Sequence, residues 1–328
     1  MVDGREYQSL IDAKHITINA QRDVRIAMTG IEAIRRRPLI VYAANMLPKP
    51  EFRGLSIQID ASDDLPFAEM IDGLASRANS EEVDLFVATP GGSAHQVSQF
   101  VNHVRARFKH VAMIIPHMAM SAGTIWATSC EEIWMDRRAT IGPIDPQVPG
   151  RDGQWLPVQA LLALVDEIRV RGDDHLKKGQ QPSWSDLVIL RNIDPKELGN
   201  AVTYSRYSID MATTFLEQYK FRTWTSHRDG RPVSPDERHR RAEEIAGKLC
   251  QHTFWKAHGH GITRESAEKE LRLLISKPED VSGLERAVRR LWALLYFLFD
   301  RTTIFKVFMS QHYSMLRFAQ LAGGSTAP

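Results

Sequence analysis

Four short apolar runs separated by helical patterns constrain this chain most. They are "LIVYAANML" (39–47), "VDLFVAT" (83–89), "HVAMIIP" (110–116) and "EEIWMD" (131–136). Between them, Phe67, Met70, Ile71 and Leu74 share one helical face, and Val97, Phe100, Val101, Val104 and Phe108 another. Runs too apolar for one-sided strands, alternating with helices, predict a parallel sheet with crossover connections. Sites in such sheets gather at the carboxyl ends of the strands. Two glycine-bearing turns fall there, "TPGG" (89–92) and "MSAGT" (120–124).

A serine hydroxyl becomes a nucleophile only with a base in reach and donors aimed at the oxyanion. Ser121 stands where a helix begins, and the amide of Ala122 would be one of that helix's unpaired donors. Gly91 and Gly92 permit the unusual backbone that a second donor would need. Each turn alone also fits a bland role: a serine before a helix is commonly an N-cap, and "PGG" a tight turn.

In order, "TPGG", "MSAGT" about thirty residues later and "IGPIDPQ" (141–147) resemble the Clp protease/crotonase superfamily. The nearest resemblance is to its signal peptide peptidase A-like and serine dehydrogenase proteinase-like serine peptidases. It is best over 38–150 and resumes at "HGHGITRESAEKELRLLI" (258–275), where Leu271 or Arg272 replaces the family's glycine. The resemblance implies a βαβ spiral α/β core with additional C-terminal helices. It implies Ser121 as nucleophile, and Gly91 or Gly92 with Ala122 as the oxyanion hole. It further implies a cytoplasmic, ATP-independent endopeptidase that acts on peptides and forms a homo-oligomer. Crotonase-type acyl-CoA enzymes use the same two amides but do not usually carry the serine. An inactive scaffold of the same fold is the other rival.

The base is open at this level. Where Clp-type peptidases carry a histidine, the chain reads "TIGPIDPQV", with Asp145 and Pro146 in the window. By the same resemblance, His258 or Lys196 takes that role. A lysine would need burial to lose its proton, whereas a histidine titrates in the useful range unaided. Lys177 and Lys178 lie in a polar stretch read as a loop, and His260 duplicates His258 more weakly.

Net charge is +2 in 328 residues, which calls for neither nucleic acid nor an anionic membrane. Two cysteines are too few for a disulfide framework and fit a reducing compartment. The histidines lack zinc-site spacing, so neither metal nor cofactor is expected. The N-terminus lacks the apolar stretch of a signal peptide. "LWALLYFLF" (291–299) is shorter than the roughly 20 residues a membrane helix needs, so membrane association is not favoured.

The expected organisation is an N-terminal helical arm (1–37), a core (38–275) with a helical insertion around 155–250, and a C-terminal helical extension (276–328). The last long helix is expected from Leu284 to about Leu321. Its stripe Leu284, Val288, Leu291, Leu295 and Leu298 is expected to pack on a neighbouring subunit or on the chain's own core.

Overall fold

A computed structural model describes residues 6–12, 19–75, 80–149, 155–227 and 229–320. The four apolar runs become β1 (Leu39–Ala44), β2 (Glu82–Ala88), β3 (His110–Ile115) and, after a short β4 (Met118–Ala119), β5 (Glu132–Met135). They lie side by side, parallel, in the order β1-β2-β3-β5. The connecting helices are α3 (Asp64–Ala75), α4 (Ala94–Arg105) and α5 (Ala122–Thr128); α1 (Glu6–Asp12) and α2 (Ala20–Arg35) precede the sheet.

Strand order advances in one direction, so crossovers of one hand put every connecting helix on the same face. Ile40, Tyr42, Leu85, Val87, Met113 and Ile115 bury against Phe67, Phe100 and Trp126 on that face. The alternate positions, Leu39, Val41, Phe86 and Ile114, point into a second core with Val24, Met28 and Ile31 of α2. Burial on both faces explains runs without polar alternation.

The basic cluster before β1 has a structural role. Arg35 bonds Asp84 at 2.8 Å and Glu132 at 2.9 Å, and Arg37 pairs with Glu82 at 2.6 Å. These carboxylates stand near the amino ends of β2 and β5, the two strands that flank β3, and two guanidinium groups bind them together.

Beyond the core strands come β6 (Thr140–Ile141), β7 (Gln147–Pro149) and β8 (Trp155–Pro157), then α6 (Val158–Lys177), α7 (Trp184–Asn192), α8 (Pro195–Phe215), α9 (Pro235–Cys250) and α10 (His252–Trp255). β9 (Ile262–Thr263) and α11 (Arg264–Glu270) follow. The polar stretch "DDHLKK", expected as a loop, instead continues α6 to Lys177. Thr263 caps α11, accepting from the Ser266 amide at 3.2 Å. Just past that helix Arg272 adopts φ +47°, a left-handed conformation at one of the two positions where the related pattern carries glycine.

The C-terminal expectation needs correcting. The helix α12 ends at Arg301, and the chain returns as two strands, β10 (Ile304–Met309) and β11 (Ser314–Phe318). β10 pairs antiparallel with β1 and extends the sheet to six strands. "IFKVFM" is a sheet strand because both its faces find cover: all six residues are buried. The α12 stripe packs on the chain itself, with Leu284, Val288, Leu291 and Leu295 fully buried beside α2 and the sheet. It is therefore not a free subunit interface, and truncating one of these leucines to alanine would cost about 2–5 kcal/mol. Among the described residues no helix is long and apolar enough to cross a membrane.

Candidate active site

Both glycine turns leave carboxyl ends of strands, and hydrogen bonds join them. The Thr89 amide donates to Met118 O at 2.9 Å, and the Met120 amide to Thr89 O at 3.1 Å. The chain reaches Ser121 with nowhere to go but a sharp reversal. Ser121 takes φ 50°, ψ −117°, a conformation that costs a side-chain-bearing residue roughly 1–3 kcal/mol.

That reversal rules out the N-cap role. A capping serine accepts from the second or third helical amide. Here the Gly123 amide goes to Met120 O at 2.7 Å and the Thr124 amide to Ser121 O at 2.8 Å. The Ser121 hydroxyl caps nothing and lines a cavity of about 570 Å3.

The Thr124 hydroxyl, within 2.8 Å of Ala119 O and 2.9 Å of Gly142 O, accepts from the Gly142 amide at 2.9 Å. One side chain thus fixes the "IGPIDPQ" segment against the serine turn.

The "PGG" turn lies directly against Ser121. A Cβ on Gly91 would fall 2.6 Å from Met120 O and 2.8 Å from Ser121 Cβ, so no larger residue fits. The Gly91 amide is committed to Thr89 Oγ1 at 3.1 Å. Gly92, at φ +139°, is bracketed by Ile59, whose amide donates to Gly91 O and whose carbonyl accepts from Ser93, both at 2.8 Å. This leaves the Gly92 amide without an acceptor among the described residues, as is the Ala122 amide at the start of α5. Gly92 and Ala122 both line the cavity with Ser121.

His258, in the loop between α10 and β9, lines the same cavity. Its Nδ1 donates to Asp145 Oδ1 at 2.9 Å, and the Asp145 carboxylate is wholly buried. An ionised carboxylate only accepts, so in the neutral imidazole Nδ1 carries the proton and Nε2 presents its lone pair. No hydrogen bond joins Nε2 to the Ser121 hydroxyl in this structure; such bonds commonly tighten only around substrate.

The lysines lie elsewhere. Lys196 is exposed in the first turn of α8, its amide bonded to Asp194 Oδ1 at 2.8 Å. Lys177 and Lys178 are exposed at the end of α6, and the exposed His260 packs its ring on Trp255. None of the four lines the cavity. In the sequence Asp145 stands out only as the occupant of a histidine's place. Its signal was an acidic residue inside "GPIDPQ", an otherwise uncharged segment tied to the serine turn.

One wall of the cavity includes Gln58, Ile59 and Asp60, anchored from behind by β10. The fully buried Lys306 bonds Gln58 O at 2.6 Å and both oxygens of the buried Asp63 at 2.8 Å. Tyr42 and Arg317 complete the set around Asp63 at 2.9 and 2.8 Å. Burial opposes the charge on Asp60, but hydroxyl bonds from Ser62 and Ser56 and the Lys306 ammonium outweigh it, holding its carboxyl at about 2. Among the described residues no cluster of three or more His, Cys, Asp or Glu side chains is arranged to hold a metal.

Fold and turns define a mixed α/β protein with a serine turn at the carboxyl edge of a parallel sheet. Residues 19–172 match the family described as ClpP-like SDH-type serine proteinase, as the ordered turns implied. The matched segment contains Gly92, Ser121 and Asp145 and ends before His258. Two curated relatives are uncharacterized proteins of Methanocaldococcus jannaschii. MJ0137 is 27% identical over 136 residues, 42% of this chain and 42% of its own length. MJ1495 is 29% identical over 149 residues, 44% of this chain and 46% of its own. The matched region spans less than half the length of either relative. Among solved structures, a mutant of the 1510-N membrane-bound stomatin-specific protease aligns with a TM-score of 0.39 and 16% identity, over 67% of this chain and 74% of that one.

Proposed function

We propose that this chain is a serine endopeptidase in which Ser121, His258 and Asp145 form the catalytic triad and the Gly92 and Ala122 amides the oxyanion hole. One observation carries the reading: a histidine with its Nδ1–H on a buried carboxylate shares a cavity with an uncapped serine hydroxyl and two unpaired amides.

The chemistry follows from the parts. As Ser121 Oγ attacks the peptide carbonyl carbon, its proton passes to His258 Nε2. The carbonyl π electrons move to oxygen, where the two amides meet the new charge. Asp145 stabilises the imidazolium without taking its proton. Collapse breaks the C–N bond, and His258 gives the proton to the leaving amine. Water then repeats the sequence on the acyl-enzyme, with His258 again the base.

The family match supports peptide as the substrate class. Cytoplasmic location, ATP independence and a homo-oligomeric state belong to the same proposal, carried by the resemblance of the ordered turns. Two amides alone would serve an acyl-CoA enzyme equally well; the serine with a histidine on a buried acid favours the hydrolase.

The test is hydrolysis of an unfolded protein without nucleotide, comparing wild type with Ser121→Ala and His258→Ala. The proposal expects cleavage by wild type and about a thousandfold loss or more in each variant. Equal activity in wild type and Ser121→Ala contradicts it.

A further inference from the structure

The proposed triad leaves one histidine at the site unexplained. Asp145 is held by two imidazoles. His258 Nδ1 lies 2.9 Å from Oδ1, and His252 Nδ1, at the start of α10, lies 3.3 Å from Oδ2. Both rings are mostly buried, with side chains 18% and 19% exposed, and the carboxylate they share is fully buried. His252 does not line the cavity and so does not reach substrate.

A carboxylate turns readily about its last torsion, which has only broad preferences. With one partner, Asp145 could rotate and weaken its bond to His258. A second donor on the other oxygen fixes the carboxylate plane. Because the carboxylate only accepts, His252 also holds its proton on Nδ1. The thiol of Cys250 also faces Asp145, and burial pushes it up to about 11, leaving it neutral. The Cys250 thiol is shared with Ser205 and Gln159, and no bond from it reaches Asp145. Its helix is positioned by the Ile144 amide, which donates to Leu249 O at 3.0 Å.

We propose that His252 is a positioning residue for hydrolysis: it pins the Asp145 carboxylate so that Oδ1 stays on His258 Nδ1 and Nε2 stays aimed into the cavity. This rests on the triad reading above. It predicts that loss of the Nδ1 donor slows chemistry without weakening substrate binding. Asparagine, whose amide nitrogen stands near the position of Nδ1, should restore the bond.

The experiment measures the rate of fluorophosphonate labelling of Ser121, the KM for a peptide and the thermal midpoint. The proteins are wild type, His252→Leu, His252→Asn, Asp145→Asn and the Asp145→Asn/His252→Leu double variant. Labelling is expected to fall about tenfold or more in His252→Leu, with KM unchanged and most of the rate recovered in His252→Asn. In the Asp145→Asn background, His252→Leu is expected to add no further loss, because the two act as one unit. Wild-type labelling by His252→Leu, or a full additional loss in the double variant, overturns the role. Equal slowing of His252→Leu and His252→Asn with matching falls in thermal midpoint also overturns it, since packing alone would do that. If wild type labels no better than Ser121→Ala, the hydrolase reading itself falls, a result distinct from either.

Discussion

Asp145 and His258 are separated by 113 residues in the chain, yet their side chains meet at 2.9 Å. The acid leaves the serine turn's own neighbourhood, fixed there through Gly142 and Thr124. The histidine arrives from the far side of the helical insertion. The chain order is therefore serine, acid, histidine, whereas the Clp-type window expected a histidine soon after the serine.

If that contact sets the histidine's proton and orientation, Asp145→Asn should depress hydrolysis by about a thousandfold or more. Peptide KM should stay near its wild-type value. Steady-state kinetics on the purified variant check this, and a loss under tenfold would reduce Asp145 to a structural acid.

His258 and Lys196 make opposite predictions as bases. Lys196→Ala removes an exposed amine outside the cavity, so its rate should stay within about twofold of wild type. His258→Ala should abolish labelling of Ser121. The reverse pattern, read from a labelling time course, would restore the lysine.

Gly92→Ala drives a Cβ into Ile59 O and to 2.6 Å from Ile59 N, in a backbone conformation that alanine resists. The turn must shift, and the proposed oxyanion amide with it. Loss of one such donor costs about 10²–10³ in rate. Labelling kinetics beside circular dichroism distinguish this from unfolding.

The wall behind the cavity carries a pH signature. Asp60 titrates at about 2 when folded against an ordinary 3.8. A depressed carboxyl contributes stability above its unfolded value and loses it as pH falls through the folded one. Wild type should therefore lose thermal stability between about pH 4 and pH 2 more steeply than Asp60→Asn. Parallel melting curves for the two proteins would show that the charge contributes nothing.

The sequence made the core legible because both signals there are local. Apolar runs buried on two faces have no alternation to confuse, and the glycine turns mark their carboxyl ends. The C-terminal strands were not legible. "IFKVFM" follows the apolar helix α12 after only two threonines, and its central Lys306 reads as a surface residue. Burial of that lysine is possible only because Asp63 and Gln58 O wait for it across the fold. Gly91 and Gly92 were indistinguishable in sequence, since only the bond from the Gly91 amide to Thr89 Oγ1 separates them. Asp145 was visible, but its partner lay too far along the chain for spacing to connect them. The lysines looked plausible because sequence gives residue type and not burial.

The most direct measurement is the site and extent of fluorophosphonate labelling, mapped by mass spectrometry of the digested protein. One adduct is expected, on Ser121, approaching one per chain and absent from Ser121→Ala. Label on another serine, or equal labelling of Ser121→Ala, would contradict it.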